Sequence, residues 1–201
     1  MSWVEDLDAL HALYGTPKPA STVKVAHQVT EEYRAWIEAA PLCALATVGP
    51  EGADCSPRGD LGSVVTIEDS KTLHLPDRRG NDRIDTLRNI VRDPRVALMF
   101  MVPGSNTVVR VNGTARINAD PALLDRHARE GKAPRSVIVI TIGEIYFQCA
   151  RALMRAQIWD ARPDISHLPP PGAILAAMTN GEVGGDAYDR AWPERARKTM
   201  W

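Results

Sequence analysis

Apolar and polar residues alternate with period two through most of the middle of this chain, and that alternation commits it to a sheet-based fold. LCALATV (Leu42–Val48) is the first such run. GPEG (Gly49–Gly52) reads as a turn, and ADCSPR as a second strand interrupted at Pro57, which marks an edge or a bulge. SVVTIED and TLHLP flank a polar turn at Asp69–Lys71, while RVALMFMVP, TVVRVNGTARI and RSVIVITIGEIYF complete a set of about seven strands. The connections are mostly short, so the sheet is expected to be antiparallel, and curling it into a barrel would bury its edges best. The expected class is mainly β with peripheral helices (α+β), an antiparallel β-barrel.

Helical signals punctuate the strands. Thr30 is a good N-cap for a helix carrying Tyr33, Trp36 and Ile37 on one face, reaching about Ala40 and ending at Pro41. A second helix is expected from Asn81 to about Arg92, with Ile84, Leu87 and Val91 as its buried stripe. A third starts at Asp120 with Pro121 in its first position, and a fourth lies near Gln148–Trp159. Residues 1–29 read as an N-terminal arm with a short amphipathic segment around Val4–Leu13. From Ala161 the chain is rich in Pro and Gly (HLPPPG, NGEVGGD) yet holds Ile174, Leu175, Met178, Tyr188 and Trp192, so residues 161–201 are expected to pack on the barrel or on a dimer partner. The 201 residues suit one domain.

Lys and Arg total 24 against 25 for Asp and Glu, and 5% of residues are aromatic. That balance provides neither the basic field nor the aromatic-studded face of a nucleic-acid binder. MSWVEDLDAL lacks the basic start and apolar core of a signal peptide, and no apolar run is long enough to span a membrane. Cys43, Cys55 and Cys149 are far apart and form no CxxC pair, which fits reduced, mostly buried thiols and a cytoplasmic home. The five histidines show no metal-ligand spacing, so no metal is expected.

Positive charge must therefore act locally, and PDRRGNDR (Pro76–Arg83) concentrates it where a strand gives way to a helix. Asn81 is placed to cap that helix, whose first N–H groups would favour an anion, with Arg78, Arg79 and Arg83 adding charge-assisted bonds and Gly80 allowing close approach. The other reading pairs these arginines with Asp77, Asp82 and Asp85 on a solvated surface, and spacing alone balances the two. CSPRGD (Cys55–Asp60) is a second basic spot; taken alone it reads as a bulge with an Arg58–Asp60 ion pair.

Together, CSPRGD, TLHLPDRRGNDRIDTLRNIVRDPRVALMFMVPG, VRVNGTARI and EIYFQCARALMRAQIWD resemble the pyridoxamine 5'-phosphate oxidase-like family of FMN-binding split barrels, over about Leu42–Asp160. The resemblance implies a homodimer of split barrels with FMN in a cleft between subunits. Ser56, Arg58 and Asp60 would face the isoalloxazine and ribityl parts, Arg78, Arg79, Asn81 and Arg83 would grip the phosphate, and Arg155 and Trp159 would approach the cofactor, with the second subunit as one source. Pyridoxamine phosphate oxidases proper carry an arginine-histidine substrate signature near their C-terminus; RARKTMW here lacks it, which argues against vitamin B6 oxidation.

The resemblance thus implies an FMN-dependent oxidoreductase acting on a small molecule, with cofactor residues named and no catalytic side chain assigned. The alternative is a non-catalytic protein that binds flavin, a deazaflavin or heme.

Overall fold

The computed structural model describes residues 3–160 and 163–201. Seven strands form one antiparallel sheet: β1 (Leu42–Gly49), β2 (Gly52–Gly59), β3 (Thr66–Ile67), β4 (Thr72–Pro76), β5 (Arg95–Met101), β6 (Val108–Asn118) and β7 (Val137–Gln148). Their order is β2-β1-β5-β6-β7-β4-β3. The sheet is split: β2 and β3 remain edges and do not close on each other, whereas the strand pattern alone favours edges buried by curling. Along β2 the strand runs unbroken through Pro57, which pairs with Ala44. An edge strand can carry a proline because one row of its N–H groups faces no neighbour.

One side of the sheet is the core. Leu45, Leu98, Val111, Ile140 and Ile145 meet there with Leu73, Leu75 and Phe100, each at most 1% exposed. Helix α3 (Glu31–Glu38) closes this core with Ile37 and is capped as expected by Thr30, whose hydroxyl accepts from Tyr33 N. The Tyr33 hydroxyl donates to Lys24 O at 2.6 Å, and Ala26 bridges to Ile145. These contacts fasten the preceding segment to β7. Before it lie α1 (Leu7–Tyr14), which buries no residue, and the short α2 (Pro19–Thr22).

Helix α4 (Asp85–Arg92) departs from expectation in both start and face. Asp82 and Ile84 hold φ of 58° and 55°, a left-handed backbone that ends any helix running from Asn81, and Ile84 takes the cap position without a side-chain bond. Asn81 instead accepts from Arg83 N within the loop. The buried face is Thr86, Asn89 and Ile90, whereas Ile84 and Val91 are exposed. Polar groups dock this helix: Asn89 donates to Thr47 Oγ1 at 3.1 Å, and a Cβ at Gly49 would lie 2.2 Å from Asn89 Oδ1.

Helix α5 (Pro121–Arg126) has Asp120 as its N-cap, accepting from Ala122 and Leu123 N. The last three helices are α6 (Arg151–Ala156), α7 (Pro171–Met178) and α8 (Gly185–Lys198). The Pro- and Gly-rich tail thus holds two helices that pack together, with Gly172 N donating to Asp189 at 2.8 Å. Only Cys43 of the three cysteines is buried, and burial pushes its thiol up to about 12; Cys55 and Cys149 are exposed, contrary to the expected mostly buried set. No described helix is long and apolar enough to cross a membrane.

Candidate functional site: an arginine cleft beside β2 and β4

Period-two geometry turns Asp54, Ser56 and Arg58 to one face of β2, with Asp60 just past its end, and each is partly buried. Ser56 and Asp54 sit under α4: Thr86 donates to Asp54 at 2.5 Å, so the Ser56 hydroxyl, 3.1 Å from Thr86 Oγ1, donates to Thr86. Farther along, Arg58 Nη1 donates to Asp77 at 2.6 Å, and Asp60 accepts from Arg78 Nε at 2.9 Å. The ion pairs cross between strand and loop, replacing the Arg58–Asp60 pair that spacing offered.

Arg58 looks into a cleft of about 360 Å³. One wall is the loop after β4, with Asp77, Arg78, Arg79, Gly80, Asn81 and Asp82; the other is the segment before β7, with Lys132, Arg135 and Ser136. Arg135 reaches across to Asp82 at 3.0 Å, and Asp77 N donates to Ser136 O, so the two walls are tied together. Trp201 joins the lining from beyond α8.

Five cationic side chains face this space, and two acids answer them. Arg79 and Lys132 make no side-chain hydrogen bond among the described residues. Arg58 Nε is buried and has no hydrogen-bond partner among the described residues. A buried donor without an acceptor is costly, on the order of 1–3 kcal/mol, so the cleft holds more donors than acceptors. The donor set thus fits a phosphate held by guanidinium and ammonium groups.

The structure places Arg78, Arg79 and Asn81, expected at a phosphate, in one cleft together with Arg58, expected nearer the ring and ribityl parts, with Asp60 behind Arg78. It does not bring the others there. Arg83 turns to Asp85, 2.7 Å away, and lines a neighbouring groove with Glu51, Asp54 and Arg92. Ser56 stays under α4. Arg155 is exposed on α6, and Trp159 donates to Ser105 O at 2.8 Å at the β5–β6 connection, outside the cleft of its own chain. Lys132, Arg135, Ser136 and Trp201 are additions that sequence reasoning missed; KAPRS before β7 was its one local sign, a basic pair about a proline.

Behind the cleft, His74 and His127 meet with ring nitrogens 3.3 Å apart. Both are buried, and burial holds both below the ordinary histidine value. Neighbouring positive charge on His74, Arg126 and Arg78 adds to the effect at His127, while Glu68 opposes it at both.

A sequence profile described as pyridoxamine 5'-phosphate oxidase matches residues 29–149 of the 201. The chain belongs to the pyridoxamine 5'-phosphate oxidase family. The matched stretch spans all seven strands and the cleft's two loops; α1, α2, α6, α7, α8 and Trp201 lie outside it. No curated protein matches the chain. Solved structures similar to it include HupZ of Group A Streptococcus (23% identity, 58% of this chain and 91% of that one, TM-score 0.47). A pyridoxamine 5'-phosphate oxidase-type protein of Lactobacillus delbrueckii has 26% identity over 60% of this chain and 95% of its own, with TM-score 0.49. An F420 reductase has 24% identity over 60% and 98%, with TM-score 0.42.

Proposed function

We propose that this member of the pyridoxamine 5'-phosphate oxidase family binds FMN as a homodimer and works as an FMN-dependent oxidoreductase on a small molecule. The observation that carries the reading is the arginine cleft, where Arg58 Nε is buried without an acceptor beside the unbonded side chains of Arg79 and Lys132. A phosphate monoester supplies two negative charges and several acceptors to such donors. Arg58, Arg78, Arg79 and Lys132 would hold it, and Asn81 would shape the loop that lets it approach. When bound, the flavin supplies the hydride and electron chemistry, and the chain's part is to fix, orient and shield it.

The homodimer is supported by the sheet's outer face. Ala44 and Met99 are in register across β1 and β5, and Leu42 and Met99 remain 37% and 36% exposed on a face with Ala46 and Val48. Small and flexible apolar side chains in a row suit a second copy of the sheet. In that dimer Arg155 and Trp159, remote from their own cleft, would reach the partner's flavin.

The absorbance spectrum of the purified protein, taken before and after adding FMN and then reduced nicotinamide cofactor, tests the proposal. Yellow protein that bleaches with the reductant is the expected result. Yellow protein that no donor reduces would make it a flavin carrier, and protein that stays colourless with FMN refutes the reading.

A further inference from the structure

Trp201 follows α8, outside the stretch that matches the family, yet it lines the arginine cleft as its one aromatic side chain among the described residues. Its ring lies over two guanidinium groups, those of Arg78 and Arg129, with centroid distances of 5.6 and 5.2 Å. Both arginines converge on the Asp60 carboxylate, whose side chain is 5% exposed: Arg78 Nε is 2.9 Å from one oxygen and Arg129 Nε 3.2 Å from the other. Arg78 Nη1 also donates to His127 O at 2.7 Å.

A guanidinium is flat, with donors around its edge and two faces that stack on aromatic rings. At Arg78 one stretch of edge is engaged by Asp60 and His127 and the guanidinium lies over the indole ring at 5.6 Å from its centroid, while its Nη2 donors make no hydrogen bond among the described residues. The side chain is thus fixed from three sides, by β2, by the end of α5 and by the tail. An arginine already held in its binding geometry loses less freedom when an anion arrives, so the anion binds more tightly.

We infer that Trp201 is a positioning residue of the cleft: through its cation–π contact with Arg78 it holds that guanidinium ready for the phosphate of a phosphorylated ligand. This rests on the reading of the cleft as a phosphate site. It makes the tail, which the family match leaves out, part of the site, and it makes the tail favour a phosphomonoester over the same molecule without its phosphate.

The test is equilibrium binding of FMN and of riboflavin, by flavin fluorescence, to the parent chain and to Trp201→Ala, Trp201→Leu and Trp201→Phe. Loss of the aromatic face should weaken FMN about tenfold in the Ala and Leu variants, leave riboflavin within about twofold, and leave the Phe variant within about threefold of the parent. Leu keeps apolar bulk beside Arg78 and Arg129, so it reports on the ring itself should Ala fail to fold. Equal weakening of both flavins would show a general loosening of the cleft and overturn the inference, as would unchanged FMN affinity in the Ala and Leu variants. A parent protein that does not prefer FMN to riboflavin would sink the phosphate reading first, and this inference with it.

Discussion

Asp60, nearly buried at the end of β2, accepts a hydrogen bond from Arg78 Nε at 2.9 Å. The pair joins the edge strand to the loop that forms one wall of the cleft, and Arg129 adds the other wall through the second carboxylate oxygen. Removing the charge with Asp60→Asn leaves two arginines without their shared counter-charge and puts an amide NH2 against one of them. Breaking a buried pair this way costs about 3 kcal/mol, so the urea midpoint should fall accordingly. A midpoint within error of the parent would show that the arginines find other partners.

Docking of α4 is predicted to depend on the missing side chain at Gly49. A Cβ there would meet Asn89 Oδ1 at 2.2 Å, so Gly49→Ala should destabilise the fold by about 1–3 kcal/mol. Asn89→Ala removes the obstacle together with the bond to Thr47, and the double variant should be more stable than the sum of the single losses allows. Strict additivity in thermal melts would contradict the close approach.

Stability should fall on mild acidification because of the buried His74–His127 pair. Burial holds both below 6.5, so the unfolded chain takes up their protons first as pH falls. Stability from the neutral pair is complete above 6.5 and declines below it. The melting temperature should drop between neutral pH and the acidic side of that value, and His127→Gln should flatten the slope. An equal slope in the variant would place the pH dependence elsewhere.

Arg83 should contribute little to anion binding, despite lying in the same basic run as Arg79. It pairs with Asp85 and lines the next groove, so Arg83→Ala should leave FMN affinity within about twofold, less than the loss of one charge-assisted bond. A loss as large as that of Arg79→Ala would put Arg83 back in the site.

Introducing charge on the sheet's outer face should separate the proposed dimer. Ala46→Glu places a carboxylate among the β1 and β5 residues paired around Ala97, and light scattering should then report the monomer mass. If the dimer persists, another surface holds it.

Much of the fold was legible because local rules and tertiary packing agree. Period-two runs became strands, Thr30 and Asp120 capped the helices they precede, and Pro121 opened α5. The misreadings have physical causes. An apolar stripe pointed to Ile84 and Val91 on α4, but the helix meets a glycine-bearing strand through Thr86 and Asn89, a polar contact that no hydrophobic periodicity signals. Left-handed backbone at Asp82 and Ile84 moved the helix start away from Asn81, because a non-glycine residue there is held by tertiary contacts. Local reading of Pro and Gly hid α7 and α8, whose packing rests on the Gly172–Asp189 contact. At the site, PDRRGNDR announced the charge. Lys132, Arg135 and Trp201 reach the cleft only through long-range folding, which spacing in one sequence does not show.

In the proposed function, the cleft between the β4–α4 loop and the segment before β7 holds the phosphate of a flavin. Titration calorimetry of FMN and riboflavin against the parent chain and an Arg79→Ala/Lys132→Ala double variant decides it. Two lost charge-assisted bonds should weaken FMN by about a hundredfold or more and leave riboflavin nearly unchanged. Equal FMN affinity in the parent and the double variant would contradict the claim.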